Sequence, residues 1–192
     1  MKETAEIRQV SSEIQGIHIV AKPIGPACNL NCEYCFYLEK QALFGSGKHY
    51  RMSDAVLAAY ITRYIESQPT PEVEFVWQGG EPTLLGVDFF KRVIELQKPF
   101  IGQKKITNSL QTNGTLLTEE WCAFLKAYNF LVGISIDGPK DIHDRYRRDR
   151  AGRGSFEKAY AGLKLLQKYG VEYNVMACVA RETAVRPLEV YH

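Results

Sequence analysis

The sequence predicts an α/β protein whose parallel sheet curves into a partial, TIM-like (β/α) barrel, incomplete in this chain at about five strands. Three observations predict it. Segments of strand character alternate with segments of helical period along the chain, the pattern of successive right-handed βαβ units. The cysteine-rich and glycine-rich motifs all fall where predicted strands end, and in α/β barrels the carboxyl ends of the strands carry the chemistry. The fifth strand is followed only by the opening of a helix, so the sheet does not close and its last strand is an open edge. This predicts the N-terminal part of a longer protein.

Residues 1–15 form a polar leader without the apolar stretch of a secretory signal, and the barrel portion runs over 16–192. Residues 17–22 (IHIVAK) read as the first strand, and the cysteine loop follows it directly. Residues 53–68 read as a helix. Ser53 can cap it, and Val56, Leu57, Tyr60, Ile61, Tyr64 and Ile65 share one face. Residues 73–77 (VEFVW) form a second strand that ends in Gly79-Gly80-Glu81-Pro82, and residues 87–96 a helix with Phe90, Val93 and Ile94 at helical spacing. The third strand, 105–112, ends in Asn113-Gly114. Thr118 caps a helix reaching Tyr128, with Glu119 and Glu120 favourable at its positive end. The fourth strand, 130–136, ends in Asp137-Gly138-Pro139; Ser155 caps the next helix and Gly170 terminates it. Residues 171–179 are the fifth strand, and 187–192 open a fifth helix. There is no linker, internal repeat or low-complexity segment.

Composition sets the class. The chain has 192 residues, 45% hydrophobic and 24% charged, enough for one domain with a core. A formal charge of +2 is too near zero to argue for nucleic acid or an acidic membrane, and no apolar run approaches a membrane span. Five cysteines, three of them crowded too closely for a disulfide framework, point to metal chemistry in a reducing compartment, the cytoplasm.

Those three are Cys28-Asn-Leu-Asn-Cys32-Glu-Tyr-Cys35. Three thiolates from one loop can hold three irons of a cubane cluster, where ferredoxin-type sites use four. The fourth iron then keeps an open position, which is what separates a catalytic metal site from a closed structural one.

With Tyr34 ahead of the last cysteine and Gly79-Gly80-Glu81-Pro82 after the second strand, the sequence resembles the radical S-adenosylmethionine superfamily. Lys22-Pro-Ile-Gly, Cys35-Phe-Tyr37-Leu-Glu-Lys40, Trp77-Gln-Gly-Gly-Glu-Pro-Thr83, Gln111-Thr-Asn-Gly-Thr115 and Gly133-Ile-Ser-Ile-Asp-Gly-Pro139 narrow the resemblance to the anaerobic sulfatase-maturating enzymes. The resemblance implies a six-stranded partial barrel, a 4Fe–4S cluster on Cys28, Cys32 and Cys35, and S-adenosylmethionine on the open iron. Reductive cleavage would give methionine and a 5′-deoxyadenosyl radical. It implies further that Gly79 and Gly80 meet the methionine amino group, with Glu81 in the same cofactor-binding motif. Tyr34 contacts the adenine side through its backbone, Ser135 the ribose, and Arg147 the methionine carboxylate, with Arg145 and Arg148 as neighbouring candidates. The implied partners are a peptide segment of an unfolded sulfatase, whose cysteine or serine is oxidised to Cα-formylglycine, and a low-potential electron donor of flavodoxin or ferredoxin type. No residue of the chain is singled out as a catalytic acid or base. The family's C-terminal SPASM-type domain, its sixth strand and its general-base aspartate are absent from this sequence.

Other readings of the same residues stay open. A related SPASM-type enzyme would make thioether or carbon–carbon crosslinks in a peptide, and a truncated fragment would bind a cluster without turnover. The cysteine run could hold zinc with His18, His49 or Cys122 as fourth ligand, or Cys32 and Cys35 could be a redox pair. Gly79-Gly80 could be a plain turn, Ser135 a structural hydroxyl, and 145–150 a solvated loop. Cys122 reads as core, Cys178 at the end of the fifth strand could face the site but reads rather as core, and His143 and Asp144 read as loop surface.

Overall fold

The computed structural model describes residues 16–37, 39–40 and 50–191; the polar leader lies outside the described residues. Among the described residues five strands form one sheet: β1 (Val20–Ala21), β2 (Glu72–Trp77), β3 (Lys105–Thr112), β4 (Leu131–Ser135) and β5 (Tyr173–Met176). Their spatial order is their chain order, and every neighbouring pair is parallel. Crossovers between sequential parallel neighbours follow one hand as a rule and so put the connecting helices on one face, which is how an α/β sheet begins to curve into a barrel. The sheet is open at β1 and β5, as expected of a partial barrel.

Those helices are α1 (Asp54–Ser67), α2 (Val87–Gln97), α3 (Glu119–Ala127) and α5 (Phe156–Tyr169). Ser53 and Thr118 cap α1 and α3 as predicted, their side chains accepting from Val56 N and Trp121 N. Gly170 ends α5 at φ 63°, the left-handed conformation that glycine takes without cost. Strand alternation then sorts side chains. Phe75 and Trp77 of β2, Leu110 of β3, and Val132 and Ile134 of β4 point into a core against Leu57, Ile61, Phe90, Trp121 and Leu125 of the helices. The intervening positions, among them Ser109, Gln111, Gly133 and Ser135, face the concave side and are half-buried.

Several expectations are corrected. Strand β1 is two residues long, not six. Ahead of it, the Gln68 side chain bonds Ile17 at both N (2.9 Å) and O (3.0 Å), replacing ladder bonds with an amide. Val56 is 55% exposed; the buried face of α1 is Leu57, Ile61, Tyr64 and Ile65. Residues 145–150 are not simply a solvated loop, and His143 is not loop surface: α4 (Lys140–Tyr146) forms here and His143 is fully buried. Ser155 gives α5 no side-chain cap because its hydroxyl is engaged elsewhere; Asp144 Oδ1 accepts from Phe156 N at 2.8 Å instead. Beyond β5, a short helix that the sequence pattern does not predict, α6 (Arg181–Val185), precedes α7 (Pro187–Tyr191), which starts where predicted. Among the described residues, no helix is long and apolar enough to cross a membrane.

Candidate functional site

A cavity of about 420 Å³ opens over the carboxyl ends of the strands, and all nine residues predicted for the site line it: Cys28, Cys32, Tyr34, Cys35, Gly79, Gly80, Glu81, Ser135 and Arg147. They come from four separate stretches of chain, brought to one rim by the parallel sheet.

The cysteine loop leaves β1 and is held on both sides. Outside, Asn31 N donates to Arg148 O (2.7 Å) and Glu33 N to Tyr146 O (2.9 Å), so the 145–150 stretch pairs with the loop's backbone. Inside, Glu81 N donates to Ala27 O at 2.8 Å. The Gly-Gly turn makes that approach possible. Gly80 has φ +55°, and a Cβ there would lie 2.1 Å from Ala27 O; Gly79 has φ +113°, and its Cβ would lie 2.7 Å from Lys22 Cγ. Both glycines are required by their left-handed backbone conformation, Gly80 also by contact with the backbone ahead of Cys28 and Gly79 by the Lys22 side chain.

Glu81 is buried and its carboxylate is fully engaged. Oε1 accepts from Thr83 N (3.1 Å), Thr83 Oγ1 (2.6 Å) and Thr112 Oγ1 (2.7 Å), and Oε2 from Asn113 N (2.7 Å). Burial pushes its pKa up while these bonds oppose the rise. Glu81 therefore joins the ends of β2 and β3. Next to it, Asn113 Nδ2 reaches Cys28 Sγ at 3.8 Å, and Leu30 N donates to the same sulfur at 3.3 Å.

A second buried carboxylate, which the sequence did not single out, lies behind the other wall. Asp137 Oδ2 accepts from Arg147 Nε at 2.9 Å and from the Tyr34 hydroxyl, and Oδ1 accepts from Cys178 N at 2.9 Å. Arg147 also lies over the Tyr34 ring, 5.4 Å from its centroid. Arg145 pairs with Glu182 (3.0 Å) and Arg148 Nε donates to Asp144 O (3.0 Å), so of the three neighbouring arginines Arg147 is the one that lines the cavity. Cys178 lines the cavity too, so of its two readings the site-facing one holds and the core one does not, whereas Cys122 is fully buried as expected. Gln111, also missed, donates through Nε2 to Ser135 Oγ at 3.0 Å and fills the space left by its register partner Gly133, where a Cβ would lie 2.1 Å from Gln111 Oε1. The signal available was its place on the concave face of β3, two residues before the strand-end Asn113.

The donor set suits an iron–sulfur cluster. Burial raises the Cys28 thiol and pushes Cys32 up to about 12. Thiolates at these depths need a cationic centre to stabilise them, and a cluster's irons supply one. All three thiols line the same cavity, and among the described residues no group of three His, Cys, Asp or Glu is gathered to close on a single metal ion. The zinc candidates do not help: His18 lies near Glu74 (3.9 Å) at the opposite end of the strands, Cys122 is in the core, and His49 is outside the described residues.

Comparisons with known proteins agree with this geometry. The family described as the Radical SAM superfamily matches residues 23–191. The chain is 47% identical over 176 residues to a serine-type anaerobic sulfatase-maturating enzyme of Bacteroides thetaiotaomicron, covering 92% of this chain and 42% of that protein. It is 40% identical to a cysteine-type anaerobic sulfatase-maturating enzyme of Clostridium perfringens, covering 91% of this chain and 47% of that one. A solved structure described as native anSMEcpe with bound AdoMet and Cp18Cys peptide superposes with a TM-score of 0.80 at 42% identity, over 88% of this chain and 45% of that chain. The chain thus spans less than half the length of these relatives.

Proposed function

Because the chain belongs to the radical SAM superfamily, matched over residues 23–191, we propose that it is the cofactor-binding, radical-generating portion of an anaerobic sulfatase-maturating enzyme. One observation carries the reading: all nine motif residues line a single cavity at the strand ends, in a chain that is 47% identical to one such enzyme and 40% to another.

Cys28, Cys32 and Cys35 would hold three irons of a 4Fe–4S cluster, with the fourth open to S-adenosylmethionine. Such a cluster would supply the electron for reductive cleavage of S-adenosylmethionine to methionine and a 5′-deoxyadenosyl radical. The chain's own residues bind and orient. Backbone groups of the Gly79–Gly80 turn receive the methionine amino group, Arg147 its carboxylate, and Ser135 the ribose, while Tyr34 borders the adenine through its backbone. Glu81 acts one step back, fixing the turn against β3. The substrate is a peptide segment of an unfolded sulfatase whose cysteine or serine becomes Cα-formylglycine, and the electron comes from a low-potential flavodoxin- or ferredoxin-type donor. Such thiol-ligated chemistry belongs in a reducing compartment, the cytoplasm.

The test is electron paramagnetic resonance on the anaerobically reconstituted, reduced protein. A cluster signal that changes when S-adenosylmethionine is added supports the reading; a folded protein that takes up no cluster, or zinc in its place, overturns it. Mass spectrometry of a sulfatase peptide after turnover by the full-length enzyme then separates oxidation to formylglycine from the crosslinked product of another SPASM-type enzyme.

A further inference from the structure

Asp137 has no part in the roles given above, yet its buried carboxylate accepts from three residues that line the cavity, Tyr34, Arg147 and Cys178. Its side chain is 0% exposed, and that of Arg147 is 11% exposed. One carboxylate joins three segments: Tyr34 from the middle of the cysteine loop, Arg147 from the end of α4, and the Cys178 N–H just past β5. The same two residues are linked a second time through their backbones. Asp137 N donates to His143 Nδ1 (3.3 Å), His143 Nε2 meets Ser155 Oγ (3.0 Å), and Ser155 Oγ donates to Arg147 O (2.8 Å). With the Arg147 Nε bond back to Asp137, the four residues form a closed hydrogen-bonded ring.

Resting on the reading that this cavity takes S-adenosylmethionine, we propose that Asp137 is a positioning residue for that cofactor, acting through Arg147. The ion pair is made by Nε, not by the two terminal nitrogens whose fork matches a carboxylate. An arginine held at Nε has lost much of its rotamer freedom before the ligand arrives, so less is lost on binding. Pairing also removes the cost of a buried unpaired guanidinium in the protein without ligand. Asp137 therefore supplies direction to Arg147, and through Tyr34 it sets that fork against the cysteine loop that carries the cluster.

A double-mutant cycle on cluster-loaded protein tests this, reading S-adenosylmethionine affinity by equilibrium dialysis beside iron content. Asp137→Asn places an amide N–H against one of the donors that the carboxylate now accepts. Its affinity is expected to fall by about tenfold at unchanged iron content, and Arg147→Met by a comparable factor. The double variant should bind within about twofold of Arg147→Met alone, because Asp137 has nothing left to position. Multiplying losses in the double variant, or unaltered affinity in loaded Asp137→Asn, would overturn the proposal. If Asp137→Asn fails to load its cluster, Asp137→Glu, which keeps the charge and shifts it by one methylene, is read in the same cycle. Loaded wild-type protein that does not bind S-adenosylmethionine would remove the functional reading itself and this proposal with it, a result distinct from one confined to the variants.

Discussion

The imidazole of His143 accepts from the backbone N–H of Asp137 through Nδ1, which fixes its tautomer: the proton sits on Nε2, facing Ser155 Oγ at 3.0 Å. Burial is the main cause that drives the His143 pKa down from 6.5 to about 4, with the positive charge of Arg147 next. The folded protein therefore keeps His143 neutral where the unfolded chain protonates it. Between about pH 6.5 and 4 the unfolded state binds the extra proton, so stability is complete above this window and falls as pH drops through it, by roughly 3 kcal/mol in all. Urea denaturation of wild type and His143→Gln at pH 7.5 and 4.5 checks the sign. The wild type should lose more stability on acidification than the variant; equal losses would sink the assignment.

Gly80→Ala should disable the site without touching a ligand. The added methyl would lie 2.1 Å from Ala27 O and 2.9 Å from Gly25 O, both backbone atoms, on a residue at φ +55°. Neither neighbour can rotate away, so the turn and the start of the cysteine loop must move apart, breaking the Glu81 N to Ala27 O bond. Left-handed strain alone costs about 1–2 kcal/mol, and the contact adds to it. Iron content after reconstitution is expected to fall severalfold; Gly86→Ala, at φ +79° with no atom within 4 Å of the added methyl, should load normally.

The difference between Gly80 and Asp137 shows what sequence could and could not convey. Strand and helix periods placed β2, β3 and the capped helices α1 and α3 within a residue or two, because Ser53, Thr118 and alternating apolar positions act locally. The cysteine and glycine motifs were legible because each role needs a particular residue type at a strand end. Asp137, His143 and Ser155 were not, since their significance lies in bonds spanning up to 103 residues, from Asp137 to Tyr34. His143 in particular sits in a charged stretch that reads as surface, and only the fold brings the backbone N–H of Asp137 and Ser155 to its two nitrogens. Glu81 was legible as part of a motif, but its bonds to Thr83, Thr112 and Asn113 make it a brace between strands.

Asn113 should tune the cluster. Its side-chain N–H and the backbone N–H of Leu30 both address Cys28 Sγ, and donors to a ligating sulfur stabilise the more negative, reduced cluster. Asn113→Leu removes one of them and should shift the midpoint potential to a more negative value in a spectroelectrochemical titration. An unchanged potential in fully loaded protein would mean that the 3.8 Å contact does not survive once iron is bound.

Glu81→Gln separates a brace from a ligand. Four donors converge on the Glu81 carboxylate, and an amide can accept only at its oxygen. Its NH₂ group must then face at least one donor, most directly Asn113 N, which alone occupies Oε2. A buried donor left unmet costs about 1–3 kcal/mol, and at 2–4 °C per kcal/mol for a chain of this size the melting temperature should drop by roughly 2–12 °C. Because the affected bonds tie the ends of β2 and β3 together and do not point at the cofactor, S-adenosylmethionine affinity of the cluster-loaded fraction should stay within about threefold of wild type. Calorimetry and equilibrium dialysis on the same preparation decide between the two roles. An unshifted melting temperature with lost S-adenosylmethionine binding would make Glu81 a direct ligand, and its four protein bonds would then have to rearrange when the cofactor enters.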